Sequence, residues 1–355
     1  MNFKLKHLPL VAAICAGLAG VALAQDGSST DIKAESKSPF DYAASGEKDG
    51  YLKMEEEAAK SGGGKVIGGQ LAEEGAWPWQ VGLMVAGAPV GPDAQFCGGS
   101  LVLDTWVLTA AHCVHMADPQ GVYRDIPADR IMVLAGTNHL APGQGDLIPV
   151  AAIFRHPDYV GTEFDNDIAL IKLARAPKVA YQTITVPEPD FGEVLDQPGV
   201  PTIVTGWGLV NGGGHPADMY QTEIQVMARD LCNGAIMEAR ANEAAAAFTH
   251  AAETFNLSEE DTDAAWGALV ERAPLPLTEN MICSGSFEGG KTSCQGDSGG
   301  PLVVPLEDGT YIQAGVVSWG LSASATSTCA EDAPFSAYTK ISKFVPWLEA
   351  TINGN

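Results

Sequence analysis

Short apolar runs, separated by glycine and proline, recur along the chain from about residue 66 to its end. Gly99 to Leu108, Arg130 to Ala135 and Thr202 to Val210 are three of them, and such runs between turn-forming residues are typical of β-strands. Ile341 to Ile352 differs, because its large apolar residues recur at helical spacing; Pro346 fits a helix only near its start. The pattern predicts a β-rich protein with a C-terminal helix.

A second helical region interrupts this pattern. Ala235 to Glu253 and Glu259 to Arg272 lie in an alanine-rich segment and are predicted to form two helices. Ser258, followed by Asp261, is a helix N-cap signature for the second of them. We expect a helical insertion over about residues 234–275, and its role stays open between surface decoration and an exosite, lid or partner-binding element.

The first 65 residues are typical of processing segments. Two lysines precede an apolar run that ends in Ala22-Leu23-Ala24, the small-residue pattern of a signal peptidase site. Residues 1–24 are therefore predicted to be a signal peptide that directs export, either to the extracellular space or to a periplasm. Residues 25–65 are rich in Ser, Gly, Ala, Lys and Glu and are predicted to be a flexible propeptide, which ends at the exposed basic residue Lys65.

Composition and charge narrow the classes of partner. Of 355 residues, 46% are hydrophobic, which is ordinary for a globular protein. The chain has 44 acidic and 20 basic residues and a formal net charge of −24 at pH 7. This surplus of negative charge disfavours nucleic acids and anionic membrane surfaces as partners.

The segment from Ser293 to Leu302 carries the strongest chemical signal, since it reads Ser-Cys-Gln-Gly-Asp-Ser-Gly-Gly-Pro-Leu. A serine hydroxyl is a weak nucleophile, so it needs a base to take its proton and N–H donors to stabilise the charge on the attacked carbonyl. Ser298 is the candidate nucleophile, and the N–H groups of Gly296 and Ser298 are the candidate donors. Taken alone, Gly-Asp-Ser-Gly is more typical of a glycine-rich turn between strands than of a catalytic serine.

Two upstream segments supply the missing partners. Leu108-Thr109-Ala110-Ala111-His112-Cys113 offers His112 as the base, and Asp165-Asn166-Asp167-Ile168 places the carboxylate of Asp167 before an apolar strand. The order His, Asp, Ser along the chain is the one that chymotrypsin-like enzymes use for nucleophilic catalysis. The remaining histidines are expected to be surface or structural residues.

Further blocks complete a resemblance that covers residues 66–355. They are Val66-Ile67-Gly68-Gly69, Trp77-Pro78-Trp79-Gln80-Val81, Cys97-Gly98-Gly99-Ser100-Leu101, Thr205-Gly206-Trp207-Gly208, Val317-Ser318-Trp319-Gly320 and Tyr338-Thr339-Lys340. With the three catalytic segments, they make the chain resemble the trypsin/chymotrypsin family of secreted serine endopeptidases. The resemblance implies two packed six-stranded antiparallel β-barrels, over about 66–183 and 184–355, with a C-terminal helix.

The same resemblance implies how the site works. Ser298 would attack the substrate carbonyl, His112 would take and return the proton, and Asp167 would hold the imidazole in the useful tautomer. The N–H groups of Gly296 and Ser298 would stabilise the oxyanion. The substrate backbone would pair as a short strand with three residues, Ser318, Trp319 and Gly320. Ser318 would also hydrogen-bond to Asp167.

Activation is also implied by the resemblance. Cleavage after Lys65 would free the amine of Val66, which would turn inward and pair with Asp297. A buried pair of this kind leaves a costly unpaired charge if one partner is missing. We therefore expect the uncleaved protein to be an inactive zymogen, because Gly296 is not held in its oxyanion-stabilising conformation until the pair forms.

Six cysteines remain once Cys15 leaves with the signal peptide, and an even number fits disulfides in an oxidising compartment. Sequence alone allows fifteen pairings. The resemblance implies Cys97–Cys113, Cys232–Cys283 and Cys294–Cys329. No cysteine pair has the short spacing of a structural zinc site, and the stretch 136–146, where some relatives bind calcium, has only one acidic residue, so we expect neither metal nor cofactor.

Specificity is predicted from the pocket residues. Thr292, six positions before the nucleophile, would form the pocket floor, where a trypsin has an aspartate. A neutral floor cannot balance a buried Lys or Arg side chain. With Gly320 and Ser336 on the walls, we expect an uncharged P1 residue and a chymotrypsin-like to elastase-like preference. Trypsin-like cleavage stays open if Glu331 and Asp332, on the adjoining loop, fold inward.

The expected partners follow. They are protein or peptide substrates and a separate protease that cleaves after Lys65, since an enzyme with Thr292 in its pocket should cleave poorly there. We expect a monomer that is free of the membrane once the signal peptide is removed. The alternative function is that of a catalytically silent homologue acting as a binding module.

Overall fold

The computed structural model describes residues 69–117, 122–209, 215–286, 291–294, 296–320 and 335–355. Several predicted features lie outside these residues: the signal peptide, the propeptide with Lys65, Val66, Cys329, Glu331 and Asp332. What the sequence predicts for them stays a prediction.

The described residues form fifteen strands and four α-helices. In chain order the strands are β1 Gln70–Leu71, β2 Gln80–Val85, β3 Gln95–Leu103, β4 Trp106–Thr109, β5 His115–Ala117, β6 Tyr123–Asp125, β7 Ile131–Ala135, β8 Asp146–Arg155, β9 Ala169–Leu173, β10 Pro201–Gly206, β11 Tyr220–Met227, β12 Met281–Gly285, β13 Pro301–Pro305, β14 Tyr311–Gly320 and β15 Phe335–Lys340. The helices are α1 Pro189–Leu195, α2 Arg229–Thr254, α3 Glu259–Arg272 and α4 Val345–Gly354.

Two sets of six antiparallel strands each close into a barrel. The first barrel runs in the order β2, β3, β4, β9, β8, β7. The second runs β11, β10, β13, β14, β15, β12, and the pairing of β12 with β11 closes it. Because each barrel is closed, neither has an edge strand with a row of unpaired backbone N–H and C=O groups. The two-barrel fold expected from the resemblance is confirmed.

Two strand predictions need correction. The run from Gly99 to Leu108 is not one strand, since β3 ends at Leu103 and β4 begins at Trp106, with a turn between them. The run from Thr202 also stops short of Val210, because β10 ends at Gly206. A Cβ at position 206 would lie 2.2 Å from the carboxylate of Asp297. Glycine at this position therefore leaves space for that buried carboxylate at the end of β10.

The helical insertion is present as a hairpin of α2 and α3. The N-cap prediction is confirmed, because the hydroxyl of Ser258 accepts the N–H of Asp261 at 3.1 Å. Phe248 and Trp266 pack with their ring centroids 4.9 Å apart, which holds the two helices together. Helix α2 starts at Arg229, earlier than predicted, because its first turns bury side chains against the second barrel.

The C-terminal helix α4 follows a 3₁₀ turn, Ile341–Lys343, and has Pro346 in its first turn, as predicted. Phe344 and Leu348 are buried in the same core cluster as the side chains of the first barrel, so the end of the chain returns to that barrel. No helix among the described residues combines the length and the apolar composition needed to cross a bilayer.

Candidate active site

The base half of the candidate site consists of His112 and Asp167. His112 lies in a 3₁₀ turn just after β4, Asp167 lies just before β9, and these two strands pair. The Nδ1 of His112 lies 2.7 Å from Oδ2 of Asp167, and the backbone N–H of His112 donates to Oδ1 at 2.8 Å. Because an ionised carboxylate only accepts, this contact puts a proton on Nδ1 and leaves Nε2 as the basic atom.

Two strands of the second barrel fix Asp167 from the other side. Ser318 of β14 donates its hydroxyl to Oδ2 at 2.5 Å, and Thr339 of β15 donates to the backbone oxygen of Asp167 at 2.6 Å. The carboxyl group is fully buried. A buried carboxylate is tolerated only when its lone pairs are satisfied, and this one receives two hydrogen bonds from His112 and one from Ser318.

The loop before Asp167 has an unusual backbone. Phe164 and Asn166 both have positive φ, 53° and 56°, a conformation that costs free energy in residues other than glycine. The ring of Phe164 packs edge-on against His112, with centroids 5.8 Å apart. The loop therefore places an apolar wall beside the candidate base.

The oxyanion half consists of Gly296, Asp297 and Ser298. Gly296 has φ +98°, which only glycine adopts readily, so its N–H can take a direction that other residues disfavour. Asp297 is buried, and its carboxylate accepts the N–H groups of Gly208 at 2.8 Å and Cys294 at 2.9 Å. Burial raises the pKa of Asp297 to about 6, and the two N–H donors oppose that rise.

Ser298 is tied to the first barrel through its backbone. Its carbonyl oxygen accepts the N–H of Gly98 at 2.7 Å, and Gly98 follows Cys97, whose disulfide to Cys113 adjoins His112. A side chain at position 98 would meet the backbone of Gly300 at 3.2 Å, so glycine is needed for β3 to approach the serine turn. Among the described residues, no backbone acceptor takes the N–H of Gly296 or Ser298.

Two residues at the oxyanion half were not singled out from the sequence. Gln95 of β3 is buried and donates its Nε2 to the carbonyl oxygen of Gly296 at 2.8 Å. His215 lies against the same glycine, where a Cβ would come within 3.1 Å of the imidazole ring, and burial lowers the pKa of His215. The available signal was weak: Gln95 is a polar residue at the start of an apolar strand.

The candidate pocket floor is uncharged. Thr292 and Ser336 are both buried, and their hydroxyls form a hydrogen bond with each other. Ser336 lies beside Gly320, its partner on the neighbouring strand, since a Cβ on Gly320 would lie 3.3 Å from the Oγ of Ser336. Next to the floor, the hydroxyl of Tyr338 donates to Ser293 at 3.5 Å. Among the described residues, the hydroxyl groups at this candidate floor hydrogen-bond to one another and carry no charge.

Two disulfides join described residues, one beside His112 and one between α2 and β12. Cys97–Cys113 and Cys232–Cys283 are bonded, at S–S distances of 2.02 and 1.92 Å. Cys294 is also disulfide-bonded, and its predicted partner Cys329 lies outside the described residues. Within the described part of the chain, one group of metal-ligand type comes together, Cys97, His112 and Cys113, but its sulfurs are joined in a disulfide and offer no thiolate.

The chain is similar to known proteins over most of its length. The Trypsin family model matches residues 66–348. Anionic trypsin of Canis lupus familiaris is 31% identical over 295 residues, which cover 82% of this chain and 91% of the relative. Tryptase of Mus musculus is 32% identical over 288 residues, covering 80% and 87%, and cationic trypsin-3 of Rattus norvegicus is 30% identical over 295 residues, covering 82% and 91%.

Proposed function

The chain belongs to the trypsin family and is a serine endopeptidase, and we propose that it is exported as an inactive precursor that, once cut after Lys65, cleaves peptide bonds through His112, Asp167 and Ser298. The observation that carries this assignment is the pairing of His112 with the buried carboxylate of Asp167 at 2.7 Å, beside a serine turn that Gly98 holds in place.

The proposed reaction has two halves. In the first, Ser298 Oγ attacks the substrate carbonyl while Nε2 of His112 accepts the serine proton, and the oxyanion accepts hydrogen bonds from the N–H groups of Gly296 and Ser298. His112 then protonates the leaving amine, and the peptide bond breaks to give an acyl-enzyme and the free amine. Water, deprotonated by the same imidazole, releases the acid and restores Ser298. Throughout, Asp167 stabilises the imidazolium that forms.

We propose a P1 preference for small to medium uncharged residues. The hydrogen-bonded hydroxyls of Thr292 and Ser336 support this, because a buried Lys or Arg side chain would find no counter-charge there and would break their mutual bond. Ser336 also shortens the pocket, which disfavours large aromatic side chains. The open alternative, a basic preference, depends on Glu331 and Asp332.

Cleavage profiling tests this specificity. We expect the processed enzyme, on a mixed peptide library read by mass spectrometry, to cut after small and medium apolar residues. Thr292→Asp should gain cuts after Arg, and Ser336→Gly should gain cuts after larger apolar residues. Efficient cleavage after Lys or Arg by the wild-type enzyme would contradict the proposal and favour the acidic-loop alternative.

We also propose how the enzyme is made and activated. A predicted signal peptide and three predicted disulfides suit an oxidising compartment outside the cell membrane. The buried carboxylate of Asp297, with a pKa raised to about 6, supports a need for a positive partner, which the freed amine of Val66 would supply. Because Thr292 disfavours lysine, activation would need a different, lysine-cleaving protease. Purified precursor that rapidly processed itself at Lys65 would refute this part.

A further inference from the structure

The loop that leads to Asp167 is fastened to the second barrel through Asp165. Its Oδ1 accepts the hydroxyl of Thr278 at 2.7 Å and the side-chain amide of Asn280 at 3.0 Å. The amide of Asn280 also donates to Oδ1 of Asn166 at 3.2 Å. These three contacts lie one and two residues before Asp167, so they act on the stretch of backbone that places the catalytic carboxylate.

The hydrogen bonds to Asp165 hold a loop whose backbone is strained. Phe164 and Asn166, on either side of Asp165, have positive φ, and such residues keep that conformation only where their surroundings enforce it. The side chain of Asn166 donates to the backbone oxygen of Asp158 at 3.1 Å, which closes the loop on its own first residues. Within the described part of the protein, the side chains from outside this loop that hydrogen-bond to Asp165 come from positions 278 and 280.

Those two residues lie where the helical hairpin returns to the barrel. The side chain of Asn233, in the second turn of α2, accepts the N–H of Leu277 at 2.8 Å and donates to its carbonyl oxygen at 3.2 Å. Arg229 donates to the carbonyl oxygen of Thr278 at 3.3 Å. Asn233 and Leu277 are both buried, so the base of the hairpin sets the position of the segment that holds Asp165.

We propose that Asp165 is a positioning residue, which seats the Asp167 loop on segment 277–280, and that the helical insertion supports catalysis through this seat. The inference rests on the proposed function, because it assumes that Asp167 orients His112. It gives the insertion a second role besides decorating the surface: its base is part of the support of the active site. Asp165 acts as a hydrogen-bond acceptor here, not as a charge.

The test compares two substitutions at this residue in the processed enzyme. Asp165→Ala removes the acceptor, and we expect kcat per titrated active site to fall about tenfold to 100-fold with KM little changed, since small displacements of catalytic groups cost this much. Asp165→Asn keeps an oxygen at the same place and should restore kcat to near the wild-type value. Glu163→Ala, which removes an exposed carboxylate from the same loop, is the matched control and should behave as wild type.

The kcat values of the two Asp165 variants decide whether Asp165 is a positioning residue. An unchanged kcat in Asp165→Ala overturns the proposal, and so does an Asp165→Asn enzyme as slow as the alanine variant, because the charge would then be what matters. Melting temperatures and active-site titration of all variants separate loss of fold from loss of rate. If the wild-type processed protein itself fails to cleave any peptide or to react with a fluorophosphonate, the proposed function fails. That result differs from both outcomes for the Asp165 variants, which require an active wild-type enzyme.

The role of the hairpin is tested by combining sites. Thr278→Val is nearly isosteric and removes one donor to Asp165, and Asn233→Ala frees Leu277; each should lower kcat by about threefold to tenfold. Because the proposed route of both runs mainly through Asp165, adding either to Asp165→Ala should lower kcat by less than the same change does in the wild-type enzyme. Losses that multiply would overturn the proposed route from the hairpin, and wild-type kcat in both single variants would do the same.

Discussion

The proposed base half and the proposed oxyanion half of the candidate active site are held in different ways. Around Asp167, donors from both barrels, on strands or next to them, satisfy a buried carboxylate. Around Gly296, the chain is a turn with positive φ, supported by one amide from Gln95 and by Asp297, whose buried carboxylate has two N–H partners and a pKa near 6. The base half is complete within the described residues, whereas the oxyanion half depends on a buried charge.

Because the two halves are held differently, activity can be controlled at one of them alone. A site whose base is locked by the fold can still be switched at its oxyanion half, if the charge of Asp297 is balanced only after cleavage at Lys65. On our proposal, the precursor has the base ready and lacks the stabilised turn. The predictions below disturb one half or the other, beginning with the largest expected effect.

Replacing the carboxylate of the base half should have the largest effect. Asp167→Asn keeps the shape of the side chain but stabilises the wrong imidazole tautomer, so we expect kcat to fall roughly 10⁴-fold while KM changes little. Steady-state kinetics on the best library peptide measure it. Asp158→Asn, an exposed acid on the same loop, is the control; a loss below tenfold in Asp167→Asn would show that the base half is wrongly assigned.

At the oxyanion half, Gly296→Ala should be the next most damaging change. Alanine would have to adopt φ near +98° here, and its Cβ would lie 3.0 Å from Cα of Gly208. The backbone would therefore shift and turn the N–H of residue 296 away from the oxyanion, and kcat should fall roughly 10²- to 10³-fold. Gly309→Ala is the matched control, with φ +81° but nothing within 4 Å, and it should keep its kcat. Equal kcat in both variants would contradict the role of Gly296.

A smaller effect is expected for the residue that supports this turn. Gln95→Leu removes the hydrogen bond to the carbonyl of Gly296, and we expect about a tenfold lower kcat, which is about 1.4 kcal/mol of transition-state stabilisation. Gln313→Leu controls for the loss of a buried glutamine elsewhere, since its contacts are to Ser100 and Gly315. If the two variants lose stability alike but neither loses kcat, Gln95 is structural only.

The smallest effect is a pH dependence of stability. Burial raises the pKa of Asp297 from 3.8 to about 6, so between about pH 4 and 6 the folded precursor binds more protons than the unfolded chain and loses stability as pH rises. In the processed protein the amine of Val66 would offset this, and the gap in melting temperature between processed Ser298→Ala protein and the Lys65→Gln precursor should widen from pH 4 to 6. Parallel curves would exclude that pairing.

Local patterns in the sequence predicted much of this molecule, and the misses share a cause. The strand in the run Arg130 to Ala135, the N-cap at Ser258 and the place of Pro346 depend on neighbouring residues, which is why they could be predicted. Gln95 and Gly296 are 201 positions apart, and Asp165 and Thr278 are 113 apart. Contacts of that range are made by packing of the two barrels and leave no periodic signal in either segment.

On our proposal, Ser298 is a nucleophile that becomes activated in the processed protein. Labelling with a fluorophosphonate probe tests it directly, because the probe reacts only with an activated serine. We expect stoichiometric labelling of processed wild-type protein at Ser298, none of processed Ser298→Ala, and little of the Lys65→Gln precursor. No labelling of the processed wild type, or equal labelling of the alanine variant, would contradict the proposal.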